Sequence, residues 1–209
     1  MTTIDTLTLE VTDLATAEKF YAAAFGLGSR LALRQSDSPT TGFRAFHISL
    51  VVSQPATVDS LIGSALAAGA TVLKPAAKSL WGYGGVVEAP DGTIWKVATS
   101  AKRNTGPDTG QIDDLILLIG ADDVAASKQF YVDHGLKVSR SFGRKYVEFE
   151  AAPGSVKFAL YSRKALAKDA GVSPDGTGSH RLAVTSNHGA FTDPDGFPWT
   201  APVLSSSAG

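Results

Sequence analysis

The sequence predicts an α+β chain of two tandem domains, each built on one strand–helix plan and each partly degenerate. Three observations lead there: a self-repeat, strand periodicity running into helical periodicity at the same place in both copies, and a Pro-Asp-Gly turn near the end of each copy. Ile4-Asp5-Thr6-Leu7 recurs as Ile112-Asp113-Asp114-Leu115, Lys19-Phe20-Tyr21 as Gln129-Phe130-Tyr131, and Gly26-Leu27 as Gly135-Leu136. Ala89-Pro90-Asp91-Gly92 with Trp95 returns as Asp193-Pro194-Asp195-Gly196 with Trp199. The interval between copies drifts by only a few residues, as loop insertions and deletions would make it. Between the copies, Lys102 to Gly110 is a polar run with Gly106 and Pro107, the composition of a linker. The first domain is therefore expected at residues 1–101, a linker at 102–110, a shortened second domain at 111–204, and a flexible tail at 205–209.

Each copy opens on a strand. Leu7, Leu9 and Val11 alternate with Thr6, Thr8 and Glu10, the period of a strand with one buried face. Asp13 then caps a helix whose Leu14, Ala17, Phe20, Tyr21, Ala24 and Phe25 recur at helical spacing, and Gly26 and Gly28 stop it. Leu115, Leu117 and Ile119 begin the second copy, with Asp122 or Asp123 as cap and Phe130 and Tyr131 on the helix. In the first copy an apolar strand at His47 to Val52 leads through Ser53, Gln54 and Pro55 into a second helix. Its stripe is Val58, Leu61, Ile62, Ala65 and Leu66, and Gly69 ends it. Strands at Thr71 to Leu73, near Gly85 to Glu88 and at Ile94 to Ala98 follow, the last two forming a hairpin. The second copy instead carries a strand pair, Tyr146 to Glu150 and Val156 to Tyr161, then a short helix from Ser162 to Ala170 closed by Gly171. After the strand His180 to Thr185 there is no room for a second long helix. Each copy has shed a different piece.

Composition excludes several classes. A formal charge of −1 lacks the positive field that nucleic acid or an anionic membrane surface recruits. With no Cys there are no disulfides and no thiolate chemistry. No apolar run is long enough to span a bilayer and the first residues lack the pattern of a secretion signal, so a cytoplasmic protein is expected. Walker loops, G-x-S-x-G elbows and G-x-G-x-x-G fingerprints are absent from the sequence.

The strand leading to Asp13-Leu14 and Phe20-Tyr21, the Ala68-Gly69-Ala70-Thr71-Val72 end of the second helix, and the Pro-Asp-Gly hairpin before a terminal strand resemble the vicinal oxygen chelate superfamily. That superfamily includes glyoxalases, extradiol dioxygenases, fosfomycin-inactivating enzymes and bleomycin-binding resistance proteins. The resemblance implies β-α-β-β-β modules, paired to curl into ligand-holding cups. It also implies a divalent metal held by His or Glu at the start of the first strand, His at the start of the strand before the second helix, and Glu on the last strand. In the first half those positions read Thr6, His47 and Lys96; in the second, Asp114, His180 and Thr200. An ammonium at Lys96 repels a divalent cation, and Asp114 with His180 lacks a strong third donor. No cofactor is therefore expected.

His47 and His180 each have a plain reading as a hydrogen-bonded structural residue beside a functional one, and Asp114 as a turn residue. Alternation puts Lys96 with Ile94 and Ala98, so it is an anion anchor or a rim residue. Trp81, Tyr83, Trp95 and Trp199 form an aromatic set that either stacks on a flat ligand or packs. The expected function is a metal-free protein that sequesters or carries an organic, partly aromatic small molecule in a β-sheet cup. Thr6, His47, Trp81, Tyr83 and Lys96 are its candidate ligand contacts. The alternative is an enzyme of the same fold, metal-dependent through Asp114 and His180, or using His47, Lys96 or His180 as acid or base. Neither nucleic acid nor a membrane is an expected partner, and a monomer or a homodimer fits equally.

Overall fold

The computed structural model describes residues 2–202; the tail expected at 205–209 lies outside them. Two sheets account for most strands. The larger has eight, in spatial order β5 (Thr71–Ser79), β6 (Gly82–Glu88), β7 (Ile94–Thr99), β4 (Phe46–Val51), β8 (Asp114–Ala121), β11 (Lys157–Ser162), β10 (Tyr146–Phe149) and β9 (Val138–Phe142). The smaller has five: β14 (Phe191–Thr192), β15 (Pro198–Thr200), β13 (Leu182–Ser186), β1 (Ile4–Val11) and β2 (Leu31–Gln35). A short ribbon pairs β3 (Thr40–Gly42) with β12 (Gly176–Gly178).

The strand–helix starts expected from the repeat are present in both copies. Asp13 caps α1 (Leu14–Ala24) by accepting from the Thr16 amide, and Asp123 caps α3 (Val124–Asp133) by accepting from Ala125 and Ala126. Pro55 opens α2 (Pro55–Ala67), and Ser162 and the left-handed Gly171 bracket α4 (Arg163–Ala170). Among the described residues no helix follows β13, as the short interval there requires.

Sheet membership departs from the division into halves. The larger sheet joins two complete strand–helix–three-strand modules, β4-α2-β5-β6-β7 and β8-α3-β9-β10-β11, whose first strands β4 and β8 pair antiparallel. What remains at the two ends of the chain, β1-α1-β2 and β13-β14-β15, meets in the smaller sheet through the antiparallel pair β1·β13. Residues 102–110 therefore divide the sequence repeat but not the sheets.

The main core lies against the face of the large sheet that carries Ile48, Leu50, Trp95, Leu117 and Phe158, with α1, α2 and Leu7, Leu9 and Val184 of the small sheet. The repeated motifs meet here. Tyr21 donates to Asp91 at 2.8 Å and accepts from the indole of Trp95 at 3.4 Å. In the second copy Tyr131 donates to Asp193, and Trp199 donates to Tyr131 at 3.2 Å. Trp95 and Trp199 are thus core residues. The opposite, inner face of the large sheet is covered by α4: Leu166, Ala167 and Ala170 are fully buried against Phe43, Val86, Ile94 and Leu118. Contact is close because β8 has a glycine there. A Cβ on Gly120 would stand 3.0 Å from the Arg163 Cα and 3.3 Å from Leu166 Cδ2.

Candidate functional site

Period-two alternation puts His47 and Ser49 of β4, and Ile94, Lys96 and Ala98 of β7, on the inner face; Ser49 is the register partner of Lys96. Into this patch α4 lowers Asp169. The Lys96 ammonium donates to both Asp169 oxygens, at 2.9 and 2.8 Å. His47 Nε2 lies 3.3 Å from Asp169 Oδ2 but off line for a hydrogen bond, and neither ring nitrogen of this buried imidazole has a partner. Lys74 of β5 completes the anchorage, donating to the Lys168 and Asp169 carbonyls at 2.6 and 2.7 Å. Its charge faces the negative end of the α4 dipole.

Electrostatics follow from this packing. Burial lowers the His47 pKa below its ordinary 6.5, offset only in part by Asp169, which favours the neutral imidazole. Burial opposes the Asp169 charge, yet the Lys96 ammonium on both of its oxygens outweighs it and the carboxyl stays well below the usual carboxylate range. Lys96 and Asp169 remain partly open, with side chains 30 and 38 % exposed. They border a groove of about 360 Å³ that runs along β5, β6 and β7 and is lined also by Lys74, Ala77, Trp81 and Gly84. Gly84 and Ala98 are register partners, and the missing side chain keeps the floor low. Trp81, at the β5–β6 turn, is 84 % exposed. Where the chain leaves α4, at Val172 and Ser173, a second cavity of about 250 Å³ lies between Phe43, Arg44, Glu88 and Asp175. It contains none of the candidate site residues named from the sequence, although Gly92 of the Pro-Asp-Gly turn borders it.

Of the expected ligand contacts, Lys96 and Trp81 line the groove, and His47 is buried behind Asp169. Thr6 is elsewhere: it sits on β1 in the small sheet and donates to the Ser29 carbonyl. Tyr83 borders the groove through its backbone, but its side chain is on the opposite face, donating to Asp59 of α2 at 2.7 Å. Period-two alternation with Gly84 could have excluded it. Asp114 and His180 are not neighbours either. Asp114, on the large sheet, is paired with Lys157 at 2.7 Å. His180 precedes β13, stacks on Phe197 and points both ring nitrogens at carbonyl oxygens, Arg44 and Asp195, each at 2.8 Å. A carbonyl oxygen therefore blocks the approach of a metal to either nitrogen. Thr200 bonds to Thr185 on the small sheet.

The donor set does not fit a divalent cation. Around His47 the inner face supplies the Lys96 ammonium and the apolar Ile116, Leu118 and Ala159, and Asp169 is already committed to Lys96. No group of three or more His, Cys, Asp or Glu suited to a metal occurs among the described residues. Asp169 and Lys74 are the participants that sequence reasoning missed. Neither stands at a position the repeat marks, and the only signal was that Leu166, Ala167 and Ala170 form an apolar stripe with no assigned partner.

Comparison with known proteins separates fold from family. No family model matches the sequence, and no curated protein matches it. Solved structures do match. Glyoxalase I from Zea mays superposes with a TM-score of 0.65 at 15 % identity, covering 96 % of this chain and 92 % of that one. A protein from Bacillus subtilis, provisionally described as a dioxygenase, gives 0.62 at 10 % identity, over 95 and 84 % of the two chains. At these identities the likeness establishes a shared fold. The chain has the two-domain vicinal oxygen chelate fold implied by its repeated motifs, and no helix among the described residues is long and apolar enough to cross a membrane.

Proposed function

We propose that this protein binds a small organic molecule with aromatic character, without a metal ion, in the groove over β5, β6 and β7, and so sequesters or carries it. One observation carries the reading. Where the resemblance calls for a metal-binding carboxylate, an ammonium stands at Lys96, open to a groove that also has an exposed indole. Such a site offers a charge to fix orientation and a flat ring to stack on, the usual economy of small-molecule pockets. The enzyme alternative loses His180, both of whose nitrogens are engaged, and its pairing with Asp114, which lies on the other sheet from β13; it retains Lys96 and, behind Asp169, His47.

Trp81 provides the test, because Trp95 and Trp199 are buried. Titration with a panel of flat aromatic acids, amines and neutral compounds, read by tryptophan emission and checked by calorimetry, is expected to give saturable binding with at least one class. Trp81→Leu and Lys96→Met should each weaken it. Binding that ignores both substitutions, or a divalent metal retained stoichiometrically through purification, would overturn the proposal.

A further inference from the structure

The geometry points to an organic carboxylate as the ligand class, with Asp169 as its internal stand-in. This inference rests on the groove being the binding site. Asp169 already shows that the seat accepts a carboxylate, since Lys96 donates to both of its oxygens. The seat also offers more than Asp169 uses: the His47 imidazole is buried beside it with neither nitrogen hydrogen-bonded. A one-carbon side chain fixed to the α4 backbone satisfies Lys96 and stops short of alignment with His47, 3.3 Å away. A free carboxylate entering along the groove has no such tether and accepts from Lys96 and His47 together. Charge-assisted hydrogen bonds of this kind are the strong ones, and a buried donor left unpaired is a standing cost.

Exchange does not require α4 to leave. The Asp169 side chain is 38 % exposed and can rotate into solvent. Meanwhile Leu166, Ala167 and Ala170 hold the helix to the sheet, and Lys74 holds its last carbonyls. The helix thus presents a tethered competitor, and the affinity of the seat for an outside acid is what remains after Asp169 is displaced. Trp81, lining the same groove, favours an acid whose carboxylate is attached to a flat ring.

Calorimetric titration of 2-naphthoate and its neutral counterpart 2-naphthamide into wild-type protein, Asp169→Asn and Lys96→Met tests this. Wild-type protein should prefer the acid by about tenfold or more, Asp169→Asn should tighten the acid about tenfold, and Lys96→Met should lose a similar factor. In wild-type protein the His47 imidazole resonances should move with 2-naphthoate and not with 2-naphthamide, a readout that survives if a variant fails to fold. Equal affinity for the two probes, an affinity unchanged or weakened by Asp169→Asn, or unmoved His47 resonances would overturn the carboxylate assignment and leave the groove reading standing. Failure of every form to bind either probe would overturn both.

Discussion

Replacing Leu166 by Ala asks whether α4 is a seated part of the sheet or a loosely resting segment. The side chain is fully buried, and its Cδ2 packs over Gly120 of β8. Losing three carbons at ~0.8 kcal/mol each gives about 2.4 kcal/mol of transfer free energy. The cavity beneath the helix adds to this, and fully buried Leu→Ala changes fall at roughly 2.7–5 kcal/mol. Backbone collapse offers little relief, because the Gly120 strand is fixed between β4 and β11. At roughly 2–4 °C per kcal/mol for a chain of this size, the melting temperature should fall by about 5–20 °C. Urea unfolding should show a lower midpoint at unchanged slope, and amide exchange should accelerate first in α4 and at the edges of the groove. Leu80→Ala, at a side chain 78 % exposed, is the control and should stay within about 0.5 kcal/mol. A Leu166→Ala loss below ~1 kcal/mol, with α4 amides already unprotected in the parent, would refute the seating of α4 and remove the basis for placing Asp169.

Tyr131→Phe leaves the buried Asp193 carboxyl and the Trp199 indole without their shared hydroxyl, and should cost about 2–4 kcal/mol in denaturant unfolding. Tyr21→Phe, whose partner Asp91 is less buried, should cost less. Acid should destabilise the protein in two separable windows. Because the folded His47 pKa is depressed, stability is lost as pH falls below 6.5 towards its folded value, with a slope of at most ~1.4 kcal/mol per pH unit. Asp169 contributes stability above 3.8 that is lost as pH falls through its lower folded value. His47→Gln should flatten the first window in pH-dependent unfolding and leave the second. Asp193 acts in the opposite sense: burial raises its carboxyl, so its contribution is present below 3.8 and lost as pH rises through the folded value. Millimolar Mn²⁺, Ni²⁺ or Zn²⁺ should leave the melting temperature unchanged, whereas a site of ~10 μM affinity would add about 2.7 kcal/mol at 1 mM.

The repeat and the capped helices are legible because each is a local pattern, with Asp13 and Asp123 capping within one turn; whether Trp95 and Trp199 pack or stack on a ligand is not, because it depends on what lies across the sheet. Lys96 on the inner face follows from the period-two alternation of its strand. Strand partnership was not legible. β4 pairing with β8, and β1 with β13, are contacts between segments far apart in sequence, and the halves look self-contained only because their strands come in the same order. Chain order alone therefore groups Thr6 with His47, and Asp114 with His180, although β1 and β13 belong to one sheet and β4 and β8 to the other. The site's acid was hidden for a related reason. Asp169 belongs to a helix outside the repeated plan, and its meaning depends on the strands α4 lies across, which no local pattern states.

Because the strands on either side of residues 102–110 hydrogen-bond to each other, breaking the peptide in that stretch would not release two self-sufficient bodies. It would yield a pair of fragments, each with raw backbone edges, along β4 and β1 in one and along β8 and β13 in the other. Such edges invite foreign strands, so each fragment made alone should clump. Mixed in equal amounts they have each other as the best-matched cover. The molecule is in this sense a covalently joined heterodimer, and that stretch is the place to turn it into a split reporter.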